Sequence, residues 1–502
     1  MSNLSELLPA GGGGKNVNFV ASGTLGNGKT VILNSDGTVT GAGMVSQAGI
    51  VIPVGSSVVF NNAGVTTGSA TSFDPNTAGK FVVAFRDNAN SSYGTCIVGT
   101  VSGTSISFGS EYIFSTGSAT DLSIAFDPNT ANKFIVAWRE ASINYYGTSV
   151  VGTISGTSIS FGSEVVFNSA EVEHTSASFD PNTANKFVIA YKDGGNGNKG
   201  TAIVGTVSGT SISYGSEVLF DTTIVADNAL TFDPNTSGKF IIAYRDQSNS
   251  HRGKTIVGTL SGTSTSYGTA GVFNTATVGA ITASFDPNTA NKFVIAYKDA
   301  GNSYYGTSIV GTVSGTSISY GSKYVFNAGS DNFISIAFDP SNTGKLIVAY
   351  QNGSNSSYGT SVVGTVSGTT ISYSSPYIFE SSESSDLSAS FDPNTSGNFV
   401  VAFTQAANSN KGTVILGDIT GTVQATNLTA TNFLGITDAA ISSGASGSVT
   451  IKGGLKSELS SLTPNSIYYV QSDGSVTTAS TAPAVRIGKA LSSTTLNLEF
   501  SS

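Results

Sequence analysis

Residues 126–138 read FDPNTANKFIVAW, and this stretch decides the fold because close copies of it recur along the chain. Its first three residues, Phe-Asp-Pro, return at a constant interval of 53 residues. A fixed period of this length is the signature of a repeat architecture, in which each repeat is one supersecondary unit. The seven copies begin at Phe73, Phe126, Phe179, Phe232, Phe285, Phe338 and Phe391.

Each copy contains four segments whose residue pattern predicts strands. In the second copy they are 121–126, 134–138, 149–154 and 158–167. The second segment is continuously apolar, which favours a strand covered on both faces. Its fourth residue is alanine in every copy, and so small a side chain would let one sheet pack closely on the next. These alanines are Ala84, Ala137, Ala190, Ala243, Ala296, Ala349 and Ala402.

The connection that follows Phe-Asp-Pro has turn chemistry. In 127–132 the Asp side chain can accept hydrogen bonds from the backbone, and the Pro ring presets φ. The sixth residue after each Phe is Gly or Asn, the residue types that tolerate positive φ. We therefore expect a left-handed backbone at Gly79, Asn132, Asn185, Gly238, Asn291, Gly344 and Gly397.

Four strands per unit and seven units predict an all-β chain that folds as a seven-bladed β-propeller. An open β-solenoid is the alternative, and the two ends of the repeat region distinguish them. Residues 52–60 align with the fourth strand at 106–114, whereas the seventh copy has Thr426 where the aromatic residue of that strand should be. We expect 52–60 to close the blade that begins at Phe391, because a closed ring needs this complementarity and a solenoid does not.

The repeat region divides the chain into three predicted domains. The propeller occupies 46–421, and it is preceded by an N-terminal segment, 1–45. An Asp-Gly pair between alternating apolar residues predicts a β-hairpin in 33–40. The third domain is 422–502, which we expect to be a small β-domain.

The C-terminal domain contains three predicted strands and a second hairpin signal. The strands are 467–471, 485–490 and 495–500, and the Asp-Gly pair of the hairpin lies in 470–477. The N-terminal hairpin has the same Asp-Gly pattern as 470–477 and is a candidate member of the same domain.

The composition excludes several classes of function. Charged residues make up 11% of the 502 residues, against roughly 25% in an average soluble domain. A formal net charge of −9 argues against nucleic acid or an anionic membrane as a partner. One cysteine and two histidines do not suit a disulfide scaffold, a cysteine zinc site or a catalytic triad. We therefore expect no cofactor, no bound metal and no enzymatic activity.

Targeting signals are also missing from the sequence as given. No apolar run approaches the ~18 residues of a membrane-spanning helix. Residues 1–14 do not combine a basic stretch with an apolar one, as a secretory signal peptide does. An extracellular type of composition without an export signal fits a protein that leaves the cell by lysis, inside a virus particle.

Comparison of the seven copies separates two kinds of connection. The turn between the first and second strands and the hairpin between the third and fourth barely vary. The connections from second to third strand vary, for example 141–146 against 194–199, and those from fourth to first vary more, for example 168–174. In an antiparallel sheet the two variable connections emerge on the same side. One face of the ring is therefore diversified, and binding residues are often found on loops of this kind.

The variable loops are rich in tyrosine and asparagine. Flat aromatic rings beside amide groups suit the recognition of a saccharide, although Ser, Asn and Tyr are also ordinary residues of unconstrained surface loops. The candidate ligand-binding residues on this face are Tyr93, Asn144, Tyr145, Tyr146, His251, Tyr304, Tyr305 and Tyr358.

Other polar groupings favour structural roles. The repeated Asp of Phe-Asp-Pro lies in the same turn in every copy, which indicates a turn residue and not a metal or catalytic ring. Pairs such as Arg86/Asp87 and Arg139/Glu140 end the second strand, and we expect them to be exposed surface pairs. The strongest metal candidate is His174 with Glu171 and Glu173, but no second loop offers matching ligands. The arginine cluster and Asp-box turns of a sialidase are missing.

The ends of the chain resemble the structural proteins of tailed bacteriophages. Residues 462–476 (LTPNSIYYVQSDGSV) and 486–496 (RIGKALSSTTL) look like a terminal β-module of virion proteins. Residues 433–444 (FLGITDAAISSG) fit the same pattern, and 1–19 (MSNLSELLPAGGGGKNVNF) are similar to the N-termini of marine phage structural proteins. The resemblance implies a head or tail fibre or a decoration protein. It does not include the repeat region and identifies no active site.

These observations predict a virion structural protein whose terminal segments attach it to other virion proteins. The propeller would present its variable face to the host surface, with a cell-surface glycan as the candidate partner. The alternatives are a purely structural decoration protein and, less favoured, a glycan-cleaving enzyme. We expect the protein in the virion, extracellular after host lysis and present in several copies, with a homo-oligomer as one arrangement.

Overall fold

A computed structural model describes residues 15–34, 36–48, 56–62, 68–420, 422–426, 428–429, 431–471, 474–480 and 484–499, with only the backbone at 44–48 and 422–426. The chain forms two compact units. One is drawn from both ends, up to Gly49 and from Thr422, and the other is Ile50–Gly421. The predicted residues Ile52 and Val54 of the closing segment lie outside the described residues.

The second and third strands of the seven copies form the most regular part of the repeat unit. The second strands are Lys80–Asp87, Lys133–Glu140, Lys186–Asp193, Lys239–Asp246, Lys292–Asp299, Lys345–Asn352 and Asn398–Gln405. The third strands are Tyr93–Ser102, Tyr146–Ser155, Lys199–Ser208, Arg252–Ser261, Tyr305–Ser314, Tyr358–Ser367 and Lys411–Asp418. In the third copy they pair antiparallel from Lys186↔Thr206 to Asp193↔Lys199.

The fourth strand of one copy and the first strand of the next are continuous, which differs from the loops predicted between them. Residues 168–174, for example, lie inside the strand Val165–Phe179. Residues 165–171 of this strand pair with Tyr146–Ser155, and 172–179 pair with Lys186–Asp193. Register shifts lie on both sides of this exchange, between Asn168 and Glu171 and between Glu173 and Ser176. A β-bulge of this kind bends a strand, and here it redirects one strand from one sheet to the next.

The other strands of the repeat region are of three kinds: strands that cross between sheets, short hairpin strands and two end strands. The strands that cross between sheets are Ser105–Phe126, Val165–Phe179, Val218–Phe232, Gly271–Phe285, Ser317–Phe338 and Tyr377–Phe391. The short strands at the third-to-fourth hairpins are Ser158–Phe161, Ser211–Tyr214, Ser264–Tyr267 and Thr370–Tyr373, and the two end strands are Val58–Asn61 and Ala70–Phe73. Short 3-10 helices follow the second strands at Asn88–Asn90, Ala141–Ile143, Gly194–Asn196, Ala300–Asn302 and Ala406–Asn408.

The repeat region closes into a ring. Val58–Asn61 pairs antiparallel with Lys411–Asp418, the third strand of the seventh copy. This strand contributes Phe60, which is 4% exposed and lies 5.1 Å from the ring of Phe85. Once Val58–Asn61 is included, each of the seven repeats forms its own antiparallel sheet within the described residues.

The core lies between successive sheets. All five apolar residues of the second strand of the third copy, Phe187 to Tyr191, are fully buried. Ala137 of the second copy packs in one cluster with Phe187 and Tyr191 of the third. The alanine at this position is fully buried in every copy, so the prediction that it allows close packing of sheets is confirmed.

The turns after Phe-Asp-Pro have the backbone that the sequence predicts. The sixth residue after each Phe has a φ between 62° and 78° in all seven copies. Gly and Asn are favoured here because most other residues are strained in this left-handed conformation. The hairpins between third and fourth strands likewise have glycine at positive φ, as at Gly156 and Gly209.

The terminal unit contains strands from both ends of the chain. One sheet has the order Asn16–Val20, Ser446–Ile451, Phe433–Thr437, Thr30–Leu33 and Val39–Gly41. A second has the order Leu455–Lys456, Leu496–Leu498, Ala484–Ala490, Ile467–Gln471 and Val476–Thr477, and a two-stranded sheet pairs Thr422–Thr426 with Met44–Ala48. The N-terminal hairpin therefore belongs to the same unit as the C-terminal strands.

Candidate ligand-binding face

The two variable connections of each repeat lie on the same side of the ring, which we call the loop face. In the second copy the backbone N–H of Val172, in the fourth-to-first connection, donates to the carbonyl of Tyr145, in the second-to-third loop, at 3.0 Å. Val278 and His251 make the same bond at 3.0 Å in the fourth copy. The opposite side, which contains the Asp-Pro-Asn turns, is called the turn face.

The loop tips of the loop face are held in a left-handed conformation. The residue before each third strand has a φ between 54° and 64° in all seven copies. This position does not contain glycine, and in three copies it is Tyr or His, for which positive φ is costly. The seven residues are Ser92, Tyr145, Asn198, His251, Tyr304, Ser357 and Asn410.

The eight predicted ligand-binding residues separate into two groups. Tyr93, Tyr146, Tyr305 and Tyr358 are the first residues of third strands and are half-buried. The loop-tip group consists of Asn144, Tyr145, His251 and Tyr304, and all four are exposed at positive φ. The structure therefore does not gather the eight residues into one pocket but distributes them around the loop face.

Two tyrosines of the loop tips are covered by a cation from the second strand. The Arg139 guanidinium lies 4.1 Å from the ring centroid of Tyr145, and the Lys298 ammonium lies 5.4 Å from that of Tyr304. Cation–π contacts at exposed sites stabilise by about 0.5–1 kcal/mol. They hold the two rings in place while leaving Tyr145 43% and Tyr304 53% exposed.

The acidic residues that end the second strands are buried, so the prediction of exposed ion pairs was wrong. Asp87 and Glu140 are 4% and 2% exposed. Adjacent residues of a strand point to opposite faces, so the acid turns inward when the preceding Arg turns outward. The Glu140 carboxylate accepts from Ser115 Oγ at 2.6 Å and from the indole N–H of Trp138 at 2.9 Å. Burial alone would raise the pKa of Glu140, but these hydrogen bonds outweigh it and the pKa is lowered.

The group considered for a metal does not converge. Glu171 pairs with Arg139 at 2.5 Å, Glu173 pairs with Lys192 at 2.5 Å, and His174 Nδ1 lies 3.9 Å from Asp227 Oδ1. Each side chain faces a different partner, so the three do not form a site together. In the part of the chain that the structure describes, no cluster of three or more His, Cys, Asp or Glu is arranged for a metal ion.

A second set of residues on the loop face was missed by the sequence analysis. We call the first strand of each copy the inner strand. The set lies just before the inner strand in the first copy and at the bulge that leads into it in the other six, with a φ between 47° and 81°. Residue types vary more here than at any turn, and the only clue in the sequence was the glycine in the first copy. We call this set the inner ring: Gly68, Asp121, His174, Asp227, Ala280, Phe333 and Asp386.

The inner strands surround a central tunnel. The N–H of Ala177 donates to Ser123 Oγ of the preceding copy, and that of Leu230 donates to Ser176 Oγ, both at 3.0 Å. The bonds place first strands of successive copies side by side. At the turn face a cavity of about 400 Å³ is lined by first-strand residues and turn prolines of six copies, among them Phe126 and Pro128.

The turn face is built from bonds between neighbouring copies. Asp74 is fully buried, and its carboxylate accepts from the N–H of Asn76 at 2.9 Å and from that of Asn132, in the next copy, at 3.0 Å. The Asn76 amide donates to the carbonyl of Pro128 at 3.3 Å. A similar bond from Asn394 to Pro75, at 3.2 Å, joins the last copy to the first. The repeated Asp is therefore a structural residue, as the sequence indicates.

A closed ring of antiparallel sheets around a central tunnel defines the β-propeller class, and the all-β propeller prediction is confirmed. None of the helices in the described ranges has the length and hydrophobicity to cross a membrane.

Comparisons with known proteins add little to this assignment. No protein-family model and no curated protein matches the chain. Among solved structures it is similar to Sqt1 of Saccharomyces cerevisiae, at 11% identity and a TM-score of 0.44, over 79% of this chain and 98% of that one. Sqt1 of Chaetomium thermophilum is similar at 11% identity and a TM-score of 0.43, over 74% and 99%. The propeller assignment rests on the strand pairings of this chain.

Proposed function

We propose that the chain is a structural protein of a tailed-phage virion whose propeller binds a glycan of the host surface through its loop face. The observation that carries the binding proposal is the placement of Tyr145 and Tyr304. Both rings are exposed, occupy left-handed loop tips and are fixed by a cation. Exposed aromatic rings in a rigid frame are suited to the apolar faces of sugars.

The virion part of the proposal is supported by the terminal resemblance. The terminal unit would attach the protein to other virion proteins, and the propeller would be the exposed part. Several copies on one particle would bind a cell surface together, so that individually weak contacts would add up by avidity of about 10²–10⁴. The protein acts as an adhesin in this proposal, without a catalytic step or cofactor.

A glycan array probed with the full chain tests the binding part. We expect retention of a subset of glycans, and a loss of at least tenfold in binding for the double variant Tyr145→Ala and Tyr304→Ala. Ser92→Ala is the matched control, because Ser92 occupies the same left-handed loop tip without an aromatic ring. Equal binding by the double variant and the wild type would contradict a role for these tyrosines, and an array without any bound glycan would favour a purely structural decoration protein.

Antibody labelling of intact particles tests the virion part. Gold particles bound at the head or the tail of purified phage would support it. Particles that remain unlabelled, although the protein is detected in the infected cell, would contradict it.

A further inference from the structure

A cavity of about 600 Å³ opens at the loop-face mouth of the tunnel. Its volume is within the range of about 300–1,000 Å³ that is usual for ligand sites. Its walls are formed by the inner strands of copies three to six. Two positions in each copy dominate the lining, namely the inner-ring residue and the residue that follows it, as in His174 and Thr175.

The position after the inner ring is polar in three of the seven copies. In the first copy it is Ser69, whose Oγ donates to the carbonyl of Asp386 at 2.6 Å. The position is Leu or Ile in four copies: Leu122, Ile281, Ile334 and Leu387. In the wall of the cavity it is Thr175 and Asn228 instead. Thr175 is only 9% exposed, and its hydroxyl has no hydrogen-bond partner among the described residues. Both amide atoms of Asn228 also lack a hydrogen-bond partner among the described residues.

Buried polar groups without a partner destabilise a fold, and an apolar residue is compatible with this position in four other copies. Thr175 and Asn228 both line one cavity and, unlike Ser69, have no hydrogen bond within the described residues that explains a polar residue here. They are expected where a ligand supplies the missing hydrogen bonds. Their polar atoms are buried from solvent in the structure, so a ligand would bond to them only after the side chains rotate.

The charges at the cavity are balanced. Asp227 Oδ2 forms an ion pair with Arg245 Nε at 3.1 Å, and its Oδ1 lies 3.9 Å from His174 Nδ1. Asn332 accepts from Lys298 Nζ at 2.9 Å and donates to Gln351 at 3.2 Å. Within the described residues, the Asp227 carboxylate is therefore offset by Arg245, and Lys298 Nζ is bonded to the Asn332 amide. The chemistry fits a neutral ligand that both donates and accepts hydrogen bonds.

The opposite wall is apolar. Ala280, Ile281 and Ile334 form it together with Phe333, whose ring is 41% exposed. Phe333 has a φ of 47°, a conformation that a bulky residue rarely adopts. An exposed aromatic ring at such a position motivates a functional hypothesis for Phe333.

We propose that this cavity binds one neutral pyranose unit at the end of a glycan. The hydroxyl edge of the sugar would bond to Thr175, Asn228 and Asp227, while its C–H face would lie on Phe333. This inference rests on the proposed glycan binding and deepens it, because it assigns the terminal sugar to the tunnel mouth and leaves the loop-tip tyrosines to the rest of the glycan.

The test measures binding of methyl pyranosides to the full chain by saturation-transfer NMR. The probes are the α- and β-methyl glycosides of glucose, galactose, mannose and N-acetylglucosamine. At least one should bind, and Asn228→Leu or Thr175→Leu should weaken it at least tenfold while the melting temperature stays equal or rises. Both substitutions introduce a residue that other copies contain. Leu387→Ile is the control, since Leu387 occupies the same position outside the cavity.

Three results would overturn the inference: no pyranoside binds, binding is unchanged in both leucine variants, or the variants melt at a clearly lower temperature. The last result would show that Thr175 and Asn228 serve the fold. The glycan array separates this inference from the proposed function. Array binding that persists in Asn228→Leu but is lost in the tyrosine variant would leave the proposed function intact and remove the tunnel-mouth site.

Discussion

The turn face and the loop face are built on the same repeated backbone, yet they have different residue types at left-handed positions. On the turn face every such position is Gly or Asn, which adopt positive φ at low cost, and buried Asp residues bond neighbouring copies. On the loop face the equivalent rings contain Tyr145, Tyr304 and Phe333. The turn face has been optimised for the stability of the ring, whereas the loop face retains side chains that lower it.

Both faces depend on closure of the ring, so the largest effect should come from the closing strand. Phe60→Ala removes a buried ring that contacts Phe85 and Phe108 at 5.1 and 6.0 Å. We expect a loss of about 3–5 kcal/mol in the free energy of unfolding. Thermal and urea unfolding would measure it.

Phe220→Ala is the matched control, because Phe220 occupies the equivalent position in a copy whose third and fourth strands are joined by a hairpin. Its loss of stability should be similar, but only Phe60→Ala should also make Lys411–Asp418 sensitive to limited proteolysis. Wild-type stability in Phe60→Ala would mean that the closing strand contributes little to the ring.

The structure of the turn face could be predicted from the sequence because its signals lie within a few consecutive residues. Asp127 and Asn132 stand in a six-residue turn whose residue types determine both the hydrogen bonds and the φ angle. The continuous apolar run 134–138 similarly predicts a strand covered on both sides.

The loop face could not be read in the same way. Residues 168–174 (NSAEVEH) continue the strand Val165–Phe179, which exchanges partners between two sheets. The alternation of Ala170 and Val172 with polar residues is compatible with a strand, but it does not indicate this exchange. Nothing in the residue type of Phe333 indicates a left-handed backbone. The useful signal was comparison of two adjacent positions across copies: Gly68 replaces Phe333 at the first, and Leu122 replaces Thr175 at the second.

A buried acid on the loop face gives the next prediction. Asp331 is fully buried where three copies have Val172, Val225 and Val278. Burial raises the pKa of its carboxyl from 3.8 to about 7, although Asn327 and Lys298 oppose the shift. Between these two values the unfolded chain loses the proton and the folded chain keeps it. Stability should therefore fall as the pH rises from about 4 to about 7.

Asp331→Val should remove this decline and gain about 2–4 kcal/mol at pH 8, measured by urea unfolding across the pH range. Asp331→Asn, which keeps the shape of the side chain, should also flatten the pH dependence attributable to this residue. If the curves of wild type and both variants run parallel, the carboxyl does not titrate in this window.

Replacing a buried acid of the turn face should lower stability, whereas replacing Asp331 should raise it. Asp74→Ala leaves the N–H groups of Asn76 and Asn132 without their acceptor, and we expect a loss of roughly 1–3 kcal/mol. Asp127→Ala is the internal control, because only one of its oxygens accepts a hydrogen bond in the structure, from Asn129 at 2.9 Å. The difference between the two losses, measured by chemical denaturation, gives the contribution of the bond between copies. Equal losses would show that this bond adds nothing beyond the turn itself.

The smallest effect is the most direct test of the contrast between the faces. Phe333→Gly relieves a left-handed phenylalanine, and Gly68→Ala introduces a side chain at the equivalent position, where φ is 81°. We expect the first to gain and the second to lose about 1 kcal/mol in thermal unfolding, since a side chain in this region costs roughly 1–2 kcal/mol. Asn132→Ala on the turn face should lose a similar amount. If Phe333→Gly lowers stability, its ring serves packing; if it raises stability and abolishes pyranoside binding, the strain is retained for the ligand.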